Sequence, residues 1–209
     1  MTATTPPTPT TDAATFAGRR VLVGLSGGIA CYKVATAVSK LVQAGASVRA
    51  MMTPAAQRFL QPLTLRSLTG REVIVSMWEP TDDADEGSSP HIALARWCEV
   101  LLLAPASADL IGKLAQGLCD DVVSLVASAL PREASGSLRT PCLVAPAMNA
   151  DMWANPAVQR NLRFLREAMG FTAVGPDEGW QACRTQGAGR MSEPEDLIAA
   201  VARAFPPAD

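Results

Sequence analysis

Apolar residues along this chain switch repeatedly between short continuous runs and a helical repeat, with turn formers at each switch. Residues 20–25 (R-V-L-V-G-L) form a β-branched run closed by Ser26, Gly27 and Gly28, after which Ile29, Val34, Val38 and Leu41 share a helical face. Strand, glycine turn and helix open a βαβ unit. Gly45 ends that helix, residues 46–52 read as a second strand, and Thr53-Pro54 close it. Pro54 is placed to start a helix through Gln57, Phe59 and Leu60. A short helix over 63–68 and a strand over 72–77 follow. His91, after Pro90, opens the next helical pattern, and Val100-Leu101-Leu102-Leu103-Ala104 is the continuous apolar run of a central parallel strand. That run breaks at Pro105, and a helix follows to Ala115.

The second half repeats the alternation. A helix is expected over 122–130, then a strand through Leu143 and Val144 that Pro146 ends by removing a ladder donor. A helix over 156–169 stops at Gly170, a strand covers 171–174, and an amphipathic helix closes the chain over 193–204. Residues 176–191 show neither period; glycine-rich, with Cys183 among them, they read as an irregular lid or binding loop. Strands alternating with helices predict an α/β fold: a doubly wound, Rossmann-like (flavodoxin-like) parallel sheet with helices on both faces. Residues 1–17 are mostly Thr, Pro and Ala, lack the regions of a secretory signal and read as a disordered tail, leaving 18–209 as a single domain.

Composition narrows the function classes. At 209 residues and 48% hydrophobic content the chain can bury one substantial core. A net charge of −2 carries no electrostatic footprint for nucleic acid, and the acidic group Asp82, Asp83, Asp85 and Glu86 lies among turn formers as a solvated loop. No apolar run has the length of a membrane span. The 5 cysteines lack a C-x-x-C pair and the chain has 1 histidine, which argues against a zinc site and for a reducing compartment. A soluble cytoplasmic protein is the expectation.

Candidate chemistry gathers at the strand ends. Gly28 is followed by Ile29 where a P-loop needs Lys, and Ser26 and Ile29 stand where a G-x-G-x-x-G fingerprint from Gly24 needs glycine. Thr53 takes the place of the acidic residue that grips an adenosine ribose. The turn at Ser26 is still an anion site by virtue of free amides at a helix N-terminus. Ser26, Thr53, Ser107 and Asn149 put polar groups at the ends of successive strands, and one rim of a parallel sheet lined in this way is a pocket. Asn149 reads either as the N-cap of the next helix or as an amide that holds a substrate. His91 reads either as a surface residue or as a proton-transfer group.

Together these residues resemble the flavoproteins that decarboxylate C-terminal cysteine groups. The resemblance rests on Ser26-Gly27-Gly28-Ile29-Ala30, Pro90-His91-Ile92, Ala104-Pro105-Ala106-Ser107-Ala108-Asp109 and Pro146-Ala147-Met148-Asn149-Ala150-Asp151-Met152-Trp153. It runs from about residue 20 to 205. Ala182-Cys183 with Gly187 to Met191 resembles the clamp of the branch acting on phosphopantothenoylcysteine, except that Arg184 stands where that branch usually has glycine.

The resemblance implies FMN with its phosphate near Ser26, Gly27, Gly28, Ile29 and Ser107, flanked by Thr53, Phe59, Ala108, Asp109, Leu110 and Ala147. Substrate would meet Met148, Asn149, Ala182, Arg190 and Met191. His91 would act as base or electrostatic partner, Asn149 would hold the departing carboxylate, and Cys183 would supply the last proton, with Arg184 beside it able to lower its pKa. The implied reaction oxidises the cysteine thiol carbon, releases CO₂ to leave an enethiol, and reduces that to 4′-phosphopantetheine for coenzyme A biosynthesis. A stand-alone decarboxylase in homotrimers, with sites between subunits, completes the expectation. The rival readings are oxidative decarboxylation of a peptide's C-terminal cysteine, flavin prenyl transfer, and a non-catalytic regulatory subunit that binds flavin.

Overall fold

The computed structural model describes residues 13–78 and 89–205. Five strands, β1 (Arg20–Leu25), β2 (Ser47–Met52), β3 (Val100–Ala106), β4 (Cys142–Pro146) and β5 (Thr172–Ala173), form one parallel sheet in the order β2-β1-β3-β4-β5. Because side chains alternate across a strand, each apolar run feeds two cores at once. Val21, Val23 and Leu102 face one core, closed by Val34, Val38 and Leu41 of α2 (Cys31–Gln43), Leu65 of α3 (Pro62–Thr69) and Leu197 and Val201 of a closing helix (Pro194–Ala204). Leu22, Leu101 and Leu103 face the other, with Leu94 of α4 (Pro90–Trp97), Leu110 of α5 (Ala108–Gln116), Val123 of α6 (Val122–Ser128) and Leu162 of a later helix (Pro156–Glu167). The doubly wound reading of the hydrophobic pattern therefore holds. Strand order reverses between β1 and β3, so the connections leave their carboxyl ends toward opposite faces and open a crevice there.

Four expectations change. The segment over 72–77 makes one parallel bridge, Met51 with Ile74, in place of a strand; Val73 and Val75 pack into one core and Ile74 into the other, so side chains rather than a ladder anchor it. Pro54 leads only to a 3-10 turn, Ala56–Arg58. The segment read as irregular is an antiparallel hairpin, β6 (Asp177–Trp180) with β7 (Gln186–Arg190). Its strands are too rich in glycine to show a β pattern. Finally, part of the expected tail is folded: Ala13–Phe16 is a helical turn, α1, and fully buried Phe16 meets Phe205 edge-on at 5.7 Å between ring centroids. Residues 1–12 of the expected tail and the acidic group at 82–86 lie outside the described residues.

Candidate active site at the carboxyl edge of the sheet

The floor of the crevice is built by a serine. The Ser26 hydroxyl, 2% exposed, donates to the Pro105 carbonyl at 2.7 Å and accepts the Ser107 N–H at 2.8 Å, tying the end of β1 to the end of β3. Its hydroxyl is thus committed beneath the cleft rather than presented to it. Above it, the amides of Gly27, Gly28, Ile29 and Ala30 find no acceptor among the described residues, directly before α2. A Cβ on Gly27 would lie 2.6 Å from that of Ala55, so only glycine lets the turn pass the loop after β2. Ser107 caps α5, its Oγ accepting the Leu110 N–H at 3.2 Å. These two helix N-termini flank a cleft of about 500 Å³.

The opposite wall joins two segments far apart in sequence. Asn149 Oδ1 accepts the N–H groups of Asp151 and Met152 at 2.8 and 3.4 Å, capping the short helix Ala150–Ala154. Its Nδ2 donates to Cys183 Sγ at 3.2 Å, so the cap occupies one end of the amide and leaves the other directed at the thiol. Cys183 sits in the turn of the β6–β7 hairpin, which is docked by further hydrogen bonds. The Gly189 carbonyl accepts the Met148 N–H at 2.9 Å. Gln181, 7% exposed, accepts the Ala150 N–H at 3.0 Å and donates to the Ala188 carbonyl at 2.8 Å. Cys183 Sγ also lies 2.9 Å from Thr185 Oγ1. The Thr185 hydroxyl first, and the Asn149 amide second, hold the exposed thiol below the usual cysteine range against a small opposing effect of burial. The guanidinium of Arg184, the expected acidifying neighbour, is not among these causes; Arg184 instead takes the left-handed backbone, φ 65°, that glycine adopts freely.

A third corner is cationic. Lys33 Nζ, on a residue only 5% exposed, donates to the Met191 carbonyl at 2.9 Å and to Glu193 Oε1 at 3.1 Å, and Arg190 pairs with the same carboxylate oxygen. Sequence reasoning passed over Lys33, Gln181 and Thr185. Lys33 left one signal, a charge beside Val34 on the buried side of α2.

Most of the expected site residues meet at this cleft. Gly27, Gly28, Ile29, Ser107, Ala108 and Ala147 line it on the floor side, and Met148, Asn149, Ala182, Cys183, Arg190 and Met191 on the other. The remainder do not line it. Thr53 is buried, its hydroxyl accepting the Ala56 N–H at 3.2 Å. Leu110 belongs to the core, Phe59 is exposed, and Asp109 pairs with Lys113 at 3.4 Å. His91 lies half-buried in the first turn of α4. α4 ends where Glu99 N–H meets the Arg20 carbonyl, at the amino edge of the sheet, and His91, at the other end of this helix, does not line its own chain's cleft.

Comparison with known proteins agrees with this geometry. The chain matches the family described as Flavoprotein over residues 11–205. It is 42% identical over 192 residues to the coenzyme A biosynthesis bifunctional protein CoaBC of Vibrio cholerae, covering 92% of this chain and 45% of that protein. The Escherichia coli protein of the same name is 40% identical over 192 residues, 92% of this chain and 44% of the relative. The chain therefore spans somewhat under half the length of these relatives. Among solved structures, a cysteine-to-serine mutant of PPC decarboxylase complexed with pantothenoylaminoethenethiol superposes with a TM-score of 0.72 at 34% identity, over 88% of this chain and 96% of that one. The FMN binding protein AtHal3 gives 0.69 at 34% identity, over 88% and 94%. A match along nearly the whole described chain, with the cleft residues inside it, settles the family: this chain is a member of the Flavoprotein family.

Proposed function

We propose that the chain decarboxylates phosphopantothenoylcysteine to 4′-phosphopantetheine, a step of coenzyme A biosynthesis, with FMN as its cofactor. The observation that carries this reading is the meeting of the Asn149 amide and the Cys183 thiol, 3.2 Å apart, across the cleft from a turn of uncommitted amides. The residues present fit FMN. Gly27 to Ala30 and the N-termini of α2 and α5 favour a phosphate, and the small side chains of Ala108 and Ala147 leave room for a flat ring. When bound, FMN supplies a two-electron oxidation of the substrate's thiol carbon and the return of those electrons.

The protein's own contribution is to hold and to protonate. Asn149 Nδ2–H, fixed in direction because Oδ1 is used as a cap, is a donor for the substrate carboxylate or thiol. Once the thiol carbon is a thiocarbonyl, the carboxylate lies β to an electron-withdrawing group, so the C–C bond breaks and CO₂ leaves. The electron pair ends in the C=C bond of an enethiol. Cys183 then donates its proton to carbon as that double bond is reduced. A thiol on the hairpin favours the complete cycle over the peptide-directed reaction that stops at the enethiol. The clustering of Asn149 and Cys183 favours catalysis over a purely regulatory role, and prenyl transfer has no use for either.

The reading extends to an oligomer, trimeric or a multiple of trimers. His91 stands outside its own cleft, while Ile29 and Tyr32 at the cleft are more than half exposed, so a second copy is the natural source of the histidine. We place the reaction in the cytoplasm, where its free cysteines persist; among the described residues no helix is long and apolar enough to cross a membrane. Incubating flavin-loaded protein with phosphopantothenoylcysteine and following products by mass spectrometry tests the proposal. The expected product is 4′-phosphopantetheine, and recovery of unchanged substrate overturns it.

A further inference from the structure

The sulfur of Cys183 has partners of different kinds, and their directions are fixed by the backbone. Asn149 Oδ1 is held by two N–H groups, so Asn149 offers the sulfur only a donor. Gln181 Nε2 is held by the Ala188 carbonyl and its Oε1 by the Ala150 N–H, so Gln181 offers only an acceptor, 3.6 Å from the sulfur. Neither amide can reverse without giving up its backbone partners. Thr185 is different: its Oγ1 lies 2.9 Å from Cys183 Sγ and 3.5 Å from Gln181 Oε1, and a hydroxyl both donates and accepts.

We propose that Thr185 is a positioning residue for the proton-donating step, its hydroxyl reversing its hydrogen bond when Cys183 loses its proton. While Cys183 is a thiol, its S–H is accepted by Thr185 Oγ1 and the Thr185 O–H points to Gln181 Oε1. In the donating step the S–H bond breaks and the proton bonds to one carbon of the enethiol. The other carbon receives its hydrogen and two electrons from reduced flavin, the reductant of that half-reaction. The electron pair of the S–H bond stays on sulfur. Thr185 O–H then turns to the sulfur and gives the thiolate a second donor beside Asn149 Nδ2–H, until solvent, which reaches this exposed residue, returns the proton. Hydrogen bonds to the charged form favour it, so the device makes Cys183 the better acid. Only the identity of the proton acceptor rests on the decarboxylation reading above.

The test separates the two. Alkylation of Cys183 by iodoacetamide is followed against pH in the full chain, with peptide mapping to distinguish it from half-exposed Cys119 and the buried Cys31, Cys98 and Cys142. Thr185→Val removes the hydroxyl and keeps the branched shape, and Thr185→Ser keeps the hydroxyl. The expected result is a midpoint displaced to higher pH and alkylation several-fold slower at neutral pH in Thr185→Val, with Thr185→Ser matching the parent. The same Thr185→Val protein, given substrate, is expected to release several-fold more of the species two hydrogens lighter than 4′-phosphopantetheine. Identical midpoints in all three proteins overturn the proposal, and so does a displaced midpoint with unchanged product ratios. Failure of the parent to decarboxylate at all refutes the functional reading instead, and leaves the alkylation result to be judged by itself.

Discussion

Gly189→Ala isolates the docking of the hairpin from the rest of the fold. Gly189 has φ 115°, and a Cβ there would stand 2.6 Å from the Met148 carbonyl oxygen, a backbone atom that no rotamer change can move. Holding alanine in that conformation costs about 1–3 kcal/mol. Relieving the overlap separates β7 from the end of β4 and gives up the 2.9 Å bond from Met148 N–H to the Gly189 carbonyl, worth about 1 kcal/mol. The sum, roughly 2–4 kcal/mol, raises the population of an undocked hairpin by about 30-fold or more. Because the hairpin lies outside the five-stranded sheet, that opening is local. The assay is limited trypsin digestion after Arg190, half-buried and paired with Glu193 in the parent, beside a thermal melt. Gly136→Ala serves as control, since Gly136 has φ 90° with nothing within 4 Å of an added Cβ. Rapid cleavage with a nearly unchanged melt in Gly189→Ala is the expected result. Cleavage after Arg190 at the parent rate would refute the reasoning that backbone contact holds the clamp.

Four further outcomes are expected. Asn149→Asp keeps an oxygen for the cap but puts an acceptor toward Cys183 and an anionic substrate; the variant should fold and hold FMN by absorbance while turnover collapses, and near-parent activity would reduce Asn149 to a cap. His91→Asn should slow turnover about 10²–10³-fold, and mixing it with Asn149→Asp should restore activity if copies complete one another's sites; no recovery after subunit exchange counts against the shared site. Arg184→Gly removes a left-handed non-glycine residue and should strengthen the hairpin by up to about 1 kcal/mol, seen as slower cleavage after Arg190. The last concerns pH: as the proposed donor Cys183 can give up a proton only as a thiol, and its pKa is lowered, chiefly by Thr185. The reductive half-reaction should therefore fail as pH rises through a midpoint below that of an ordinary cysteine, with the oxidative half-reaction unaffected.

The sheet was legible wherever burial on both sides demanded it. Val100 to Ala106 is buried throughout, and a strand covered on both faces requires so continuous an apolar run. Helix ends were legible where a side chain makes the cap, as at Ser107. The hairpin was not, because its strands carry three glycines and are held by backbone contacts to Met148 and by the side chain of Gln181, neither of which leaves an apolar alternation. Residues 72–77 failed in the opposite sense: the β-branched pattern is present, but both faces of the segment are used to plug the two cores, and the ladder reduces to one bridge.

The site was legible as a rim and illegible as a network, for a reason rooted in sequence distance. Polar residues that end strands announce themselves locally, so Ser107 and Asn149 were found. What each atom does depends on partners elsewhere: Ser26 on Pro105, Lys33 on Met191, Asn149 on Cys183. Those partners changed Ser26 from a ligand-facing group into the clasp beneath the cleft. They gave Lys33 a role that no spacing foretold. Asn149 shows why opposed readings of one residue need not compete. A primary amide has an acceptor end and a donor end, and capping uses only the first. With the acceptor held by the helix, the donor is aimed, and a residue chosen by local folding becomes a fixed N–H at the sulfur of Cys183. Aspartate would cap as well but has no N–H to donate, and serine would have to accept and donate through the single oxygen of a shorter side chain, without the amide's separate Nδ2. What sets asparagine apart from the other capping residues at this turn is therefore the N–H end of its amide, which the helix leaves free for Cys183.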